Sequence, residues 1–322
     1  MLIVKDVYKK FNSEAGFFAK IGKFIYVING ISFEIREGET YGLVGESGCG
    51  KTTMARLLVQ VYKHDAGNIK YISADGNIFQ LEKITKSKLR LLRSKIKYIF
   101  QDPAKSLNPR MNILEILTSG YKYSPHYRDI KSAKEEAEQI LQRVGLTVND
   151  LSRRPADFSG GQRQRISIAR ALIQKPDFLI CDEVVSALDV SIQSQILNLL
   201  LKIKEESKIK MLFIAHDIAV VSFFSDRIGV MYGGVIVEEA RSMELIKHRM
   251  HPYTKHLYLS MPGLSGITAA NKPLLDEIKD ITVKPQGCLF YPRCSIRENE
   301  CREEKPDLRE ISKDHFVACR LV

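Results

Sequence analysis

At 322 residues, 44% apolar and 27% charged, the chain has the composition of a globular protein with room for one large α/β domain and an appendage, or two modest domains. No apolar run approaches the roughly 18 residues that a membrane span requires, which excludes a spanning helix, and the opening MLIVKDVYKKF lacks a cleavable signal pattern, so a cytoplasmic location is expected. The 49 Lys and Arg against 38 Asp and Glu leave a charge of +11, which permits contact with nucleic acid or an anionic surface but requires neither.

Residues 2–7 and 31–36 alternate apolar and polar side chains, the pattern of half-buried antiparallel strands. Between them Phe11, Phe17, Phe18, Phe24 and Tyr26 offer flat rings able to stack on a base. Phe11 is the candidate by order, with core packing or a loop position as the alternative for each. Residues 41–44 form a short apolar run that leads directly into Gly45-Glu46-Ser47-Gly48-Cys49-Gly50-Lys51-Thr52, and residues 53–62 follow as an amphipathic helix. Strand, glycine loop and helix in that order make a phosphate cradle. Convergent N–H groups and the helix N-terminus attract the anion, Lys51 reaches the β- and γ-phosphates, and the Thr52 hydroxyl ligates Mg²⁺.

His64 to Gly67 and Asp75-Gly76 mark turns around a further short strand pair. Residues 83–97 carry seven basic side chains and no acidic one, but Leu89, Leu92 and Ile96 recur at helical spacing, so a solvated helix face is the simpler reading. Residues 96–100 read as a strand ending at Gln101-Asp102-Pro103. Helices over 112–117 and 130–144 then point to a helical subdomain, at about 104–172, inserted between parallel strands. Within it Phe158-Ser159-Gly160-Gly161-Gln162 precedes a helix over 163–174: a second anion-binding turn, without a lysine.

Residues 177–181 are an apolar strand that ends in Asp182-Glu183. Paired carboxylates at the end of a buried strand are costly unless a metal or a proton transfer uses them, so Asp182 is assigned to Mg²⁺ and Glu183 to an attacking water. Residues 186–189 open a long helix to about 204, and residues 210–215 form another buried strand, ending at His216. His216 thereby joins the strand ends at which ligands bind in open α/β sheets. A hairpin over 226–232 and 235–239, turning at Gly233-Gly234, closes this domain near residue 245.

GESGCGKT, the Gln101 loop, FSGGQRQ, FLICDE, SALD and His216 follow one another in an order that resembles the ATPase subunits of ABC transporters. The resemblance spans about 1–245. It implies an ABC-type P-loop NTPase fold: a mixed sheet, an antiparallel β subdomain and the inserted helical subdomain, followed by a C-terminal extension over 246–322. It further implies ATP and Mg²⁺ as ligands and a head-to-tail pairing of two nucleotide domains. The nucleotide then lies between residues 45–53, ending at Thr53, and the partner's counterpart of Ser159, Gly160, Gly161 and Gln162. By position, Gln101 resembles the residue that links Mg²⁺ and γ-phosphate to the transporter, Asp189 the residue that communicates across the dimer, and His216 the switch histidine. Two departures are small. Phe158 replaces the commoner leucine and Val184 the common proline, which leaves that turn slightly looser.

QDPAKSLNPRM (101–111), ICDEVVSALDVSIQSQILNLL and HPYT (251–254) narrow the resemblance to oligopeptide and dipeptide permease ATPases, of which SLNPRM is similar to the F-type subunit. This implies an ATP-hydrolysing subunit on the cytoplasmic face of the cell membrane that energises peptide import. Its implied partners are a sibling ATPase, two membrane permease subunits and an extracytoplasmic solute-binding protein. Import of another solute, such as nickel or a sugar, is the near alternative. An ABC ATPase acting on nucleic acid is the distant one; long coiled coils or a second nucleotide domain would mark it, and the chain shows neither.

Cys49 and Cys181 lie inside the nucleotide motifs and are assigned no metal. Cys288, Cys294, Cys301 and Cys319 are spaced C-x5-C-x6-C-x17-C in a segment too short to build its own core. Disulfides are not expected in the cytoplasm. The irregular spacing suits an iron–sulfur cluster better than zinc, with free thiols as the third possibility. Similar subfamily members carry a four-iron, four-sulfur cluster in this region. His315 is the spare ligand candidate.

Overall fold

Two sheets follow from two kinds of strand: half-buried alternating ones near the N-terminus and wholly apolar ones thereafter. The computed structural model describes residues 1–12, 24–259, 281–283 and 285–322. Phe17 and Phe18 lie outside the described residues. In chain order the first elements are β1 (Leu2–Asn12), β2 (Phe24–Ile35), β3 (Thr40–Val44), α1 (Lys51–Leu58), β4 (Ala66–Ile72), β5 (Ile78–Gln80), α2 (Lys86–Lys95) and β6 (Ile96–Ile99). Four helices come next, α3 (Pro103–Ser106), α4 (Ile113–Tyr121), α5 (Ile130–Arg143) and α6 (Gly160–Leu172). Then follow β7 (Phe178–Asp182), α7 (Val190–Ser207), β8 (Lys210–Ala215), α8 (Ile218–Phe224), β9 (Arg227–Tyr232), β10 (Val235–Arg241), α9 (Ser242–Lys247), α10 (Pro252–Leu259), β11 (Arg309–Ser312) and β12 (His315–Val317).

The first sheet is antiparallel, in the order β2-β1-β4-β5. The second has the order β11-β12-β10-β9-β3-β8-β7-β6, with β9, β3, β8, β7 and β6 parallel. Side-chain alternation divides the core between its faces. Leu43, Ile180, Leu212 and Ile214 pack with α1 and the antiparallel sheet, whereas Val44, Leu179, Met211 and Phe213 pack with the helical side. Runs buried on both faces read as continuous apolar stretches, which is why β7 and β8 were legible as strands.

Several expected boundaries shift, three of them with a visible local cause or extent. Helix α1 stops at Leu58 rather than 62, because Gln60 adopts φ 55° and turns the chain. Helix α6 starts at Gly160 rather than 163, because Ser159 and Gln162 form a capping box. β1 and β2 extend to Asn12 and from Phe24, making a longer hairpin than the alternation indicates.

β12 pairs with β10, so the C-terminal extension continues the main sheet and shares its core. Glu238 on β10, fully buried, anchors it. Its carboxylate accepts from the Met250 and His251 backbone N–H groups at 2.7 and 3.0 Å and from His315 Nε2 at 2.8 Å. His315 is thereby committed to Glu238. Replacing Glu238 with Leu strips three donors, two of them buried, of their acceptor and should cost about 3–5 kcal/mol. Urea denaturation should show a lower midpoint with an unchanged slope; an unaltered midpoint would refute the anchoring role.

Candidate functional site

The parallel ladder brings the motif-bearing strand ends level. Val44 pairs with Ala215 across β3 and β8, Ile214 with Asp182 across β8 and β7, and Cys181 with Ile99 across β7 and β6. Just beyond these ends lie Gly45, His216, Glu183 and Gln101, which places four separated motifs along one edge of the sheet.

The glycine loop has the backbone that a phosphate cradle needs. Gly48 and Gly50 have φ of 77° and 108°, and Gly50 is the N-cap residue of α1. A Cβ on Gly45 would meet the Met231 carbonyl oxygen at 2.1 Å, so no larger residue fits where the strand leaves the sheet. Lys51 is buried, and its Nζ donates to the carbonyls of Gly45 and Glu46 at 2.7 and 2.9 Å, curling over the loop. Ser47 and Gly48 at the tip are exposed, and Thr53 follows in the first helical turn. Cys49 points into the core, where burial pushes its thiol up. Cys181 is likewise pushed up to about 12 by burial, so both behave as inert small residues.

Thr52 Oγ1 donates to Asp182 Oδ1 at 3.1 Å, so the hydroxyl and carboxylate read as metal ligands stand side by side. The other Asp182 oxygen accepts from the Tyr98 hydroxyl. Burial, reinforced by the Asp182 charge, pushes the Tyr98 pKa up and keeps it a neutral donor. Gln101 Nε2 donates to Glu183 Oε2 at 2.7 Å. Glu183 has φ 49°, a left-handed conformation unfavourable for a non-glycine residue, and its N–H donates to the Ile214 carbonyl at 2.9 Å. The sheet therefore holds this carboxylate in a strained position. His216 is exposed immediately after β8, and Asp217 beside it caps α8.

On α6, Ser159 Oγ accepts from the Gln162 N–H and Gln162 Oε1 from the Ser159 N–H, at 3.3 and 3.0 Å. Gly160 and Gly161 form the first helical turn. A Cβ on Gly161 would meet Ile192 Cγ2 at 2.6 Å, so this glycine lets α6 and α7 approach closely. Phe158 is buried under the Arg153 guanidinium, 4.4 Å from its ring, which retains the expected apolar anchor. Val184 is buried as well. Ser159, Gln162 and Asp189 are exposed. Phe11 meets the edge of Tyr62 at 5.1 Å between ring centroids, with Lys9 Nζ 5.2 Å from its ring.

Cys288, Cys294, Cys301 and Cys319 line one apolar cavity, although 31 residues separate the first from the last. Burial pushes the Cys288 and Cys294 thiols up, and proximity to the other cysteines adds to the effect. Among the described residues no group of three or more His, Cys, Asp or Glu side chains is placed to hold a metal ion. His251, not His315, shares this cavity.

Sequence reasoning missed three supporting residues. Tyr98 holds Asp182, the Tyr253 hydroxyl accepts from the Glu46 N–H at 2.9 Å, and Arg293 pairs with the Glu46 carboxylate. Tyr98 reaches Asp182 across the sheet, 84 residues away in the chain. Tyr253 and Arg293 carried no signal in the sequence, because their contacts span more than 200 residues.

Comparison with known proteins identifies the family. Residues 28–186 match the ABC transporter family model, and 237–301 match the oligopeptide/dipeptide transporter C-terminal region. The chain is 40% identical to the oligopeptide transport ATP-binding protein AppF of Bacillus subtilis, covering 100% of this chain and 97% of the relative. It is 41% identical to the oligopeptide transport ATP-binding protein OppF of Haemophilus influenzae, covering 97% and 93%. Among solved structures, the ATP-binding cassette MJ0796, a dimer in a post-hydrolysis state bound to ADP and Pi, superposes with a TM-score of 0.64 at 27% identity, covering 75% of this chain and 99% of that one. This chain therefore belongs to the ABC transporter ATP-binding proteins, in the branch that carries the oligopeptide/dipeptide transporter C-terminal region.

Proposed function

We propose that this chain hydrolyses ATP to energise a membrane importer of oligopeptides or dipeptides. The observation that carries the reading is the convergence of the phosphate loop, the Thr52–Asp182 pair, the Gln101–Glu183 pair and His216 on one sheet edge. The names of relatives aligned over nearly their whole length support peptides as the cargo class.

In this reading the Lys51 ammonium leaves the Gly45 and Glu46 carbonyls and meets the β- and γ-phosphates, while the N–H groups at the start of α1 receive their oxygens. Thr52, Asp182 and Gln101 would hold Mg²⁺, which neutralises charge as the γ-phosphoryl group transfers. Glu183 orients and deprotonates the attacking water, and its strained backbone and bond to Gln101 fix the direction of its carboxylate. His216 contacts the γ-phosphate, and Phe11 stacks on the adenine. Hydrolysis then requires a second cassette. Ser159, Gly160, Gly161 and Gln162 serve the nucleotide held by the partner, and Asp189 lies at the same junction.

The functional assembly comprises a sibling ATPase, two permease subunits and a solute-binding protein. No helix among the described residues is long and apolar enough to cross a membrane, which agrees with peripheral attachment through the permease subunits.

The four terminal cysteines would hold a four-iron, four-sulfur cluster. The four thiols that line one apolar cavity are the donor set on which this reading rests, and such a group would cross-link the extension through its four ligands.

Lys51→Ala should abolish ATP binding, whereas Glu183→Gln should bind ATP and lose turnover by at least about a hundredfold; equilibrium binding and phosphate release separate the two outcomes. Ser159→Arg should retain nucleotide binding in the isolated chain but block ATP-dependent dimerisation, read by sedimentation with Glu183→Gln as the background. Purified without oxygen, the protein should be brown with about four irons per chain. A colourless, metal-free protein would reject the cluster, and bound zinc would replace it with a mononuclear site.

A further inference from the structure

Arg293 belongs to the C-terminal extension, yet its side chain ends on the phosphate loop. Nη1 and Nη2 donate to the two Glu46 carboxylate oxygens at 2.8 and 3.0 Å, a two-pronged pairing. The pair is sheltered, with side-chain exposures of 11% for Arg293 and 28% for Glu46. Nη1 also reaches the Tyr232 hydroxyl at 3.4 Å, and the guanidinium lies 5.6 Å from the Tyr232 ring centroid. Tyr232, Tyr253 and Phe290 pack against one another, at centroid distances between 4.7 and 5.5 Å. Together they form a platform under the loop.

Glu46 is gripped at three points. Its carboxylate meets Arg293, its N–H meets the Tyr253 hydroxyl, and its carbonyl accepts from Lys51 Nζ at 2.9 Å. The peptide whose N–H Tyr253 binds also carries the Gly45 carbonyl, which accepts from Lys51 Nζ at 2.7 Å, so Arg293 and Tyr253 hold the residue on which Lys51 rests. A planar guanidinium paired with both carboxylate oxygens fixes direction as well as distance, which a flexible ammonium does not.

We infer that Arg293 is a positioning residue for nucleotide binding: through Glu46 it sets the entrance of the phosphate loop, and with it the resting place of Lys51. The inference rests on reading Gly45 to Thr52 as the phosphate loop. It makes the C-terminal extension part of the nucleotide site. Because Arg293 directly precedes Cys294, the segment that presents this guanidinium also presents a cysteine to the cavity.

The test uses the full chain and Mg·ATP, with affinity measured by calorimetry and turnover measured separately. Arg293→Met should weaken ATP binding about three- to tenfold, the range expected for coupled neighbours, with kcat at saturation changed by less than about twofold. Arg293→Lys should recover part of the loss. Glu46→Gln should weaken binding to a similar degree, and the double variant should lose no more than either single one. Wild-type affinity in Arg293→Met, while Lys51→Ala has lost binding, overturns the inference and leaves the phosphate-loop reading standing. Wild-type affinity in Lys51→Ala removes that reading and the inference with it. Additive losses in the double variant, or an effect of Arg293→Met without one of Glu46→Gln, would place Arg293 in the folding of the extension and refute positioning. If Arg293→Met does not fold, Glu46→Gln tests the same pair from the loop side, and unchanged affinity there refutes it.

Discussion

The parallel register across β3, β8, β7 and β6 is the constraint on which the rest depends. Hydrogen bonding pins Val44 beside Ala215, Ile214 beside Asp182 and Cys181 beside Ile99, so that strands far apart in the chain end at one level. A one-residue slip of β7 would reverse the faces of its side chains and carry Asp182 away from Thr52 and Tyr98. Apolar packing on both faces of the sheet makes such a slip costly. Leu179 and Cys181 belong to one core, Phe178 and Ile180 to the other.

Within that frame the polar groups hold one another in place. Lys51 rests on loop carbonyls, Thr52 on Asp182, and Gln101 on Glu183. For the buried Lys51 and Asp182 these bonds satisfy groups whose burial would otherwise carry a free-energy cost, whereas the Gln101–Glu183 bond lies at the surface. The left-handed φ of Glu183 is a local strain at the position where a carboxylate must project beyond the strand end, sustained by its backbone bond to Ile214. The exposed Ser159–Gln162 turn and Asp189 contrast with this closed arrangement. The turn is held by its capping box and by the packing of Gly161 on Ile192, and both it and Asp189 lie at the surface.

The C-terminal extension is not an appendage in the physical sense. Its strands lengthen the main sheet, Glu238 anchors its ends, and an aromatic platform built jointly with β9 supports the phosphate loop. A segment of this length cannot bury enough surface to fold alone, and here it borrows the core of the larger domain. The cysteine cavity is thereby held against the domain that carries the nucleotide motifs.

Much of this was legible from residue order. The phosphate loop, the Asp182-Glu183 pair and the second glycine turn are local patterns whose chemistry follows from spacing, and the apolar runs at 178–182 and 210–215 announce buried strands. The helix after the second glycine turn is legible too, although it starts at Gly160 rather than 163 because Ser159 and Gln162 cap it. What residue order could not supply were contacts between side chains far apart in the chain: Tyr98 on Asp182, Tyr253 and Arg293 on Glu46, and His315 on Glu238 rather than beside the cysteines. Periodicity and spacing report the few residues around each position. The chain alone therefore determined which chemical groups were available and on which local element each would stand. Only the packing of the sheets decided which of them meet, because such a contact depends on strand register and on the burial of side chains contributed by the whole chain.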